Sequence, residues 1–436
     1  MPSMRRRLFG LLVAGLLVAA MGMPVAAAWT GEIVLWDAPR WRDESGDQFH
    51  WIKAKIREFE ESHPGVRITL VETPWAELAQ KLAIAIAGRA WPDLAPIDIS
   101  GGFISIQYLQ QGVVEPLDEF FTPEELADFY PGARAAYTYN GKLYGIPTSM
   151  AVHSMLLALD HFRNRGVEPP ANGRWTWDQF VETARKLTYD RDGDGRPDVW
   201  GFSTYILKGY YEAWPMLYMD GARPLSPDLR RYTFDSPQAV SALQKMLDLK
   251  FKERVAPMEM GSADVGGTFQ AFANPEQRRI AMEPWASWAI ATLRTNQQYK
   301  MDFMVAEYPI GESGKPVTIG GTGGWVVFRQ PNKEKLAVVV ELAKHLSTPQ
   351  EQYTFARFYG TFPARQSVMA LDPYGDNEHM QQAAAMLPFA EMVPMHPNWR
   401  QIDERIQAQL QLAFAGEKSA EQALRDAGRE VQSFLR

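Results

Sequence analysis

The first hundred residues alternate apolar segments with helical ones, and this alternation limits the fold more than any other feature of the chain. Residues 32–36 (EIVLW), 67–72 (RITLVE) and 92–99 (PDLAPIDI) have the length and apolar content of buried strands. Between them, residues 49–62 carry the alternating charges of a solvated helix, and residues 75–88 place apolar side chains at helical spacing before a final glycine. Strand, helix, strand, helix, strand is the order of a parallel sheet, so the sequence predicts an α/β fold.

The carboxyl ends of these strands are the expected place of a binding site, because ligands of parallel α/β sheets bind beyond that edge. The residues at or near the three ends are Trp36, Asp37, Thr73, Trp75, Asp98 and Ser100. A tryptophan at such a position either faces a ligand or caps the apolar core beneath it, and the sequence leaves both readings open.

Residues 1–28 have the three parts of a secretory signal peptide. Three arginines precede an apolar run at residues 8–20, and small residues suited to cleavage after Ala28 follow. The run is too short to span a bilayer, which argues against an uncleaved anchor. The chain has no cysteine, so it offers no disulfide, no thiolate site and no lipid-anchoring cysteine. We therefore expect a periplasmic protein that is exported and not lipid-anchored.

Charge and length limit the partners and the number of domains. Removing the three arginines of residues 1–28, which contain no acid, takes the formal charge from −7 to −10. This balance argues against nucleic acid or an anionic membrane surface as a partner. A chain of 436 residues is too long for one hydrophobic core, so we expect two domains. Nothing in the sequence demands more than a monomer.

The stretch DRDGDGRPDVWGF at residues 190–202 resembles half of an EF-hand loop. Four aspartates fall at ligand positions 1, 3, 5 and 9 of such a loop, namely Asp190, Asp192, Asp194 and Asp198. The twelfth position, which should carry a bidentate glutamate, is Gly201. The loop therefore fits either a weak structural calcium site or a tight turn whose aspartates bond their own backbone. Either role is structural, and no other cofactor is expected.

Eight segments in order along the chain together resemble the extracellular solute-binding proteins of ABC importers, the maltose-binding-protein class. They are EFEESHPGVRITL, LAIAIAGRAWPDL, QQGVVEPLDEF, NGKLYGIPTS, RWTWDQF, MEPWASWAI, GGTGGWVVF and GEKSAEQALRDA. The resemblance implies an α/β, two-lobed periplasmic-binding-protein fold with a ligand cleft between the lobes and several crossover hinges. It divides the chain into an N-terminal lobe (residues 29–147 plus 310–348) and a C-terminal lobe (148–309 plus 349–436), with hinges near Pro147, near Pro309 and just after Leu346.

The composition suits a sugar ligand. A pyranose has an apolar C–H face and a rim of hydroxyls, so its site needs aromatic platforms and planar polar groups. The chain has 14 tryptophans and 16 tyrosines. With the cleft placed by the resemblance, the candidate ligand-binding residues are Trp36, Asp37, Arg40, Trp75, Asp98, Tyr211, Trp285, Trp288, Gly323, Trp325 and Arg400, with Glu72 and His153 nearby. Each charged member could equally be a surface charge. Of Trp285 and Trp288, one is expected to face the cleft and the other the core.

The resemblance implies a binding component that captures a carbohydrate, an oligosaccharide by expectation, and delivers it to ABC permease subunits in the membrane. The alternative ligand is glycerol 3-phosphate or a glycerophosphodiester, whose phosphate would need Arg40, Arg42 or Arg400. A glycosidase would share the composition and needs only two carboxylates, but the sequence has no recognisable nucleophile elbow or HExxH motif and the resemblance favours a non-enzyme. Loss of Trp325 is expected to weaken binding without unfolding the protein.

Overall fold

The computed structural model describes residues 29–97, 106–394 and 396–435. The proposed signal peptide (1–28), Asp98 and Ser100 lie outside the described residues. Within the described ranges, no helix is both long enough and apolar enough to cross a membrane.

The N-terminal part forms the predicted parallel arrangement. Its elements are β1 (Gly31–Asp37), α1 (His50–Ser62), β2 (Val66–Glu72), α2 (Trp75–Ala87) and β3 (Leu94–Ile97). Strand β1 pairs in parallel with β2 along its whole length and with β3 at Leu35 and Leu94. The prediction of strands and helices from periodicity is therefore confirmed here, and the carboxyl ends of β1 and β2 lie side by side at Asp37 and Glu72.

The chain then builds the remainder of the first lobe and crosses to the second. The next elements are α3 (Ile106–Gln110), α4 (Pro123–Ala127), α5 (Pro131–Ala135), β4 (Thr138–Tyr139), β5 (Lys142–Leu143), β6 (Ile146–Ala158), α6 (Leu159–Arg165), α7 (Trp177–Lys186), α8 (Trp214–Tyr218), α9 (Pro237–Phe251), α10 (Val265–Ala273), β7 (Met282–Ala286), α11 (Trp288–Thr295) and β8 (Phe303–Ala306). The elements that follow are β9 (Thr318–Val327), α12 (Lys333–His345), α13 (Pro349–Phe358), β10 (Phe362–Pro363), α14 (Glu378–Ala384), β11 (Ala390–Glu391), α15 (Trp399–Phe414) and α16 (Ala420–Val431).

Strand β6 belongs to both lobes. Its first half, up to Val152, pairs antiparallel with β9, and its second half, from His153, pairs with β7 and β8. The sheet of the first lobe has the strand order β2-β1-β3-β9-β6-β10. The register of β6 against β9 shifts between Pro147 and Ser149, next to one predicted hinge. The crossing between the lobes is therefore made by paired strands, with the partner of β6 changing at residues 152–153.

Separate hydrophobic cores fill the lobes. The first-lobe core packs β1, β3 and β9 against α1, α2 and α12, with Phe59 and Trp325 among its buried members. Two clusters fill the second lobe, one around Trp214 and the other around Trp285. Helix α13 divides between lobes, because Phe355 joins the first core and Ala356 the second. The predicted lobe boundaries stay a prediction.

A local signal explains the start of α7, and close packing explains the segment that follows this helix. Thr176, the N-cap of α7, accepts a hydrogen bond from the Gln179 backbone N–H and completes a capping box. Residues 200–204 form no strand, and Trp200 makes a single bridge, to Ile280. Gly201 lies so close to the Ala184 carbonyl at the end of α7 that a Cβ there would collide with it. Residues 200–204 are therefore held by packing against α7 and not by pairing within a sheet.

Candidate functional site

A buried arginine in an aromatic enclosure lies just beyond the carboxyl end of β1. Arg40 donates to the Asp37 carboxylate at 2.8 Å, and both side chains are buried. The guanidinium carbon lies 4.9–5.9 Å from the centroids of five aromatic rings. The rings belong to Trp51, Trp75, Trp325, Phe355 and Tyr359. We call Asp37, Arg40 and these five residues the Arg40 cluster.

Several polar atoms in the Arg40 cluster and in the adjacent Thr73 lack hydrogen-bond partners. Asp37 Oδ2, Arg40 Nε and Thr73 Oγ1 are buried and have no hydrogen-bond partner. Burial raises the pKa of the Asp37 carboxyl, although the charge of Arg40 opposes the shift. Unpartnered buried polar groups are costly, so a site of this kind gains free energy when a ligand supplies the missing partners.

A second buried cluster lies where β6 changes its partner strand, and its residues come from β6, β7 and the loop before α8. Glu283 is 0 % exposed and accepts a hydrogen bond from the Trp285 indole N–H at 3.0 Å. Glu212 Oε1 lies 3.6 Å from His153 Nε2, and the ring of Tyr205 lies 5.5 Å from that of Trp285. We call His153, Tyr205, Glu212, Glu283 and Trp285 the Glu283 cluster.

The Glu283 cluster is acidic and short of partners. Glu212 Oε2, Glu283 Oε1 and His153 Nε2 have no hydrogen-bond partner. Burial raises the pKa of the Glu283 carboxyl well above its usual value, and the nearby Glu212 raises it further. Burial, with Glu212 and Glu283 adding to it, likewise raises the pKa of the Tyr205 phenol. Such perturbed, buried groups concentrate at functional sites.

Trp288 and the residues around Gly360 connect the two clusters. The Trp288 ring, half-buried, lies 5.5 Å from the Trp285 ring, which is fully buried. Gly360, with φ of +72°, leaves no room for a side chain against Trp288 and Ala291. The preceding residue, Tyr359, belongs to the Arg40 cluster. The two clusters are therefore linked by a short segment after α13, and of the two predicted tryptophans Trp285 faces the core while Trp288 is partly accessible.

The other predicted residues are more dispersed. Trp36 is half-buried against the first core, and the Gly323 carbonyl accepts a hydrogen bond from Thr148. Tyr211 is buried in the second core, where its hydroxyl accepts from the Trp399 indole at 3.1 Å. Arg400 is exposed in the first turn of α15, and Asp98 lies outside the described residues. The structure thus brings together Asp37, Arg40, Trp75 and Trp325, and separately Trp285 and Trp288.

Arg400 also acts across the lobes. It lies in the first turn of α15 in the second lobe; burial raises the pKa of Tyr108 on α3, and the positive charge of Arg400 opposes that shift. Glu72, the other nearby acid considered from the sequence, pairs with Lys53 at 2.9 Å on a partly exposed surface. Glu72 is therefore engaged in a surface ion pair and not in either cluster.

Three members of the second cluster were missed by sequence reasoning: Tyr205, Glu212 and Glu283. Glu283 lies inside the quoted segment MEPWASWAI, two residues before Trp285, so an acid within a buried strand was a signal that could have been read. Glu212 and Tyr205 come from an irregular loop whose position depends on contacts with α15, and no local pattern marks them.

The aspartate loop folds as a turn with three clustered carboxylates. Carboxylate oxygens of Asp190, Asp192 and Asp194 lie within 4.8 Å of one another. Asp190 accepts from the backbone N–H groups of Gly193 and Gly195, at 2.6 and 2.7 Å. Asp198 is turned away and accepts from the Arg191 N–H. The predicted Asx-type bonding is present, and calcium at the three carboxylates stays a prediction.

Curated proteins similar to this chain in sequence include binding proteins of bacteria and archaea. A putative binding protein of Brucella abortus is 26 % identical over 438 residues, covering 98 % of each chain. A maltotriose-binding protein of Pyrococcus abyssi is 23 % identical and covers 80 % of this chain and 66 % of that one.

Solved structures share the two-lobed architecture. The ABC substrate-binding protein of Listeria monocytogenes in complex with cycloalternan superposes with a TM-score of 0.78 at 20 % identity, covering 93 % of this chain and 98 % of that one. The Thermus thermophilus maltotriose-binding protein bound with maltotriose gives 0.74 at 22 % identity, covering 93 % and 100 %. The predicted α/β, two-lobed periplasmic-binding-protein fold is therefore confirmed. The family model for bacterial extracellular solute-binding proteins matches residues 43–353, well over half of the chain, and the chain belongs to that family.

Proposed function

We propose that this protein is the substrate-binding component of an ABC import system, and that it captures a carbohydrate, an oligosaccharide, between its lobes. The observation that carries the proposal is the pair of buried clusters, in which polar atoms without partners stand beside aromatic rings. Sugar hydroxyls both donate and accept hydrogen bonds, and the C–H face of a pyranose packs on aromatic rings. The similarity to a maltotriose-binding protein of Pyrococcus abyssi and to a lactose-binding protein of Rhizobium radiobacter supports the same ligand class.

The acidic character of the clusters argues against a phosphorylated ligand. Asp37, Glu212 and Glu283 are buried carboxyls, and a phosphate beside them would meet like charge in a medium of low dielectric. Arg40 is already paired with Asp37, while Arg42 and Arg400 are exposed. No described residue therefore offers the unpaired, buried arginine that a glycerol phosphate needs.

The proposed mechanism is a shift of population and involves no bond making or breaking. Without ligand the lobes would favour an open arrangement, and contacts from both clusters to one ligand would favour the closed one. Closure would join surfaces of both lobes for the permease. The protein would act in the periplasm as a monomer, without an enzymatic activity and without nucleic acid as a partner.

A ligand screen tests the proposal. Thermal unfolding of residues 29–436 is measured with maltotriose, lactose, arabinooligosaccharides and glycerol 3-phosphate. A ligand at 100 times its Kd adds about 2.7 kcal/mol to the free energy of unfolding, which raises Tm visibly. A shift with a neutral sugar is expected. A shift with glycerol 3-phosphate alone would overturn the carbohydrate assignment.

Trp288→Ala then locates the site. The half-buried ring beside Trp285 is expected to contact ligand, so the variant should bind the sugar at least tenfold more weakly by titration calorimetry. Trp177→Ala is the matched control, because Trp177 is also a half-buried tryptophan of the second lobe but lies on α7. Equal loss of affinity in both variants would refute the location.

A further inference from the structure

The buried acids of this protein fall into two groups. Five of the eight in the described residues have a lysine or arginine nitrogen within 3 Å. The pairs are Asp37–Arg40, Asp93–Lys335, Asp220–Lys245, Glu307–Arg174 and Glu351–Lys55. A buried carboxylate without a cation is strongly destabilising, so this pairing is the normal solution.

Three buried acids have no such partner among the described residues: Glu212, Glu283 and Asp403. Asp403 is satisfied by hydrogen bonds, since one oxygen accepts from the Gly209 N–H and the other from the Gln407 amide. Glu212 Oε2 and Glu283 Oε1 accept no hydrogen bond of normal geometry, although the Tyr205 phenol interacts with the Glu212 carboxyl. The two unsatisfied acids belong to the same cluster, which points to a partner that the chain does not provide.

A count of protons limits the charge of that partner. His153 Nδ1 lies 3.0 Å from the Ile319 carbonyl, which can only accept, so Nδ1 carries a proton. Nε2, buried and without a hydrogen bond, points toward Glu212 Oε1 at 3.6 Å. Burial raises the pKa of Glu283 and so favours its protonated form while the cluster is empty. A cation placed next to the free oxygen of Glu283 would favour the ionised form instead, and would supply the positive charge that Glu212 and Glu283 lack.

We propose that the ligand carries a protonated amine, as an amino sugar does, and that this amine lies between Glu212 and Glu283. The inference rests on the proposed function and deepens it, because it names the chemical class of sugar. An ammonium has three donors, enough for Glu212 Oε2 and Glu283 Oε1 with one to spare. The walls are aromatic, because the Tyr205 and Trp285 ring centroids lie 5.5 Å apart and the edge of Trp285 donates its indole N–H to Glu283.

Matched ligand pairs test the inference. Binding is measured by titration calorimetry for glucosamine against glucose and for chitobiose against cellobiose, which differ only by amine in place of hydroxyl. N,N′-diacetylchitobiose is the third member, because acetylation keeps the nitrogen and removes the charge. The amine is expected to increase affinity about 10- to 100-fold over its neutral counterpart, the range for hydrogen bonds between charged groups.

Variants locate the effect. Glu283→Gln and Glu212→Gln should each reduce the preference for amine over hydroxyl to less than about threefold, while Glu417→Gln, an exposed acid of the same lobe, should keep it. The unfolding temperature of each ligand-free variant shows whether that variant is folded. If one of the two glutamine variants does not fold, the other still tests the inference.

The outcomes separate this inference from the proposed function. Neutral sugars that bind as tightly as their amino counterparts would overturn the inference and leave the carbohydrate assignment standing. An amine preference that survives in both glutamine variants would also overturn it. If no amino sugar and no neutral sugar binds, including maltotriose and lactose, both the inference and the carbohydrate assignment would be overturned.

Discussion

Replacing Asp403 by asparagine tests how the loop that carries Glu212 is held. Asp403 lies on α15 and is 2 % exposed, and it accepts hydrogen bonds from the Gly209 N–H at 3.0 Å and the Gln407 amide at 2.9 Å. Burial raises its pKa from 3.8 to about 6, although those two hydrogen bonds and the charge of Lys208 oppose the shift. The folded protein therefore holds this proton more tightly than the unfolded chain.

The sign of the effect on stability follows from that difference. Below pH 3.8 both states are protonated, and the contribution of Asp403 to stability is fully present. As the pH rises toward about 6, the unfolded chain ionises first and the contribution is lost. About two pKa units at 1.36 kcal/mol each amount to about 3 kcal/mol. The free energy of unfolding of the wild type minus that of Asp403→Asn, which cannot titrate, should fall by about 2.4 kcal/mol between pH 4 and pH 7, because part of the total is already lost at pH 4.

Urea unfolding at half-unit pH steps, followed by circular dichroism, measures this difference. Other titrating groups cancel because the two proteins share them. Glu404→Gln is the control, since Glu404 is the neighbouring acid and forms an exposed pair with Lys208. Its difference from the wild type should stay nearly flat. Parallel curves for the wild type and Asp403→Asn across this range would refute the reasoning.

Three further perturbations have defined outcomes. Trp325→Ala should cost about 3–5 kcal/mol in urea unfolding because the ring is 2 % exposed in the first core, and a cost under about 1 kcal/mol would contradict that placement. Gly201→Ala should lower stability by more than about 2 kcal/mol by forcing Cβ into the Ala184 carbonyl, whereas Gly132→Ala, with open space around it, should be nearly neutral. Millimolar calcium should raise the Tm of the wild type but not of Asp190→Asn, and no rise in either protein would leave the loop as a turn only.

The sequence predicted what local patterns control. The strands β1 and β2 and the helix α7 follow from apolar periodicity and from the Thr176 cap, which are interactions within a few residues. The expectation that loss of Trp325 weakens binding without unfolding the protein stays a prediction, and the burial of its ring in the first core indicates that the loss also lowers stability.

The candidate site also divides into residues that local patterns predict and residues that only distant contacts bring into place. Asp37 and Arg40 were predicted because they lie at the end of a strand. Two rings around Arg40, those of Phe355 and Tyr359, come from α13 and its C-terminal end, which are distant from Arg40 in the sequence. Glu212 reaches the Glu283 cluster from an irregular loop, and no pattern in a single sequence specifies that approach. Local reasoning and the resemblance therefore located Asp37 and Arg40 with part of their aromatic enclosure, and only His153 and Trp285 of the Glu283 cluster.

The shared strands also set the order in which this chain can fold. Leu94 of β3 pairs with Val327, and Ile146 of β6 pairs with Trp325, so the first sheet contains a strand made long after its neighbours. Closing such long loops costs entropy before the contacts repay it, which makes topologies of this kind slow to fold. The N-terminal strands therefore remain incompletely paired until β9 has been synthesised. The first sheet thus cannot be completed before β9 is made, and the core around Trp214 cannot be completed before α15 and α16 are made.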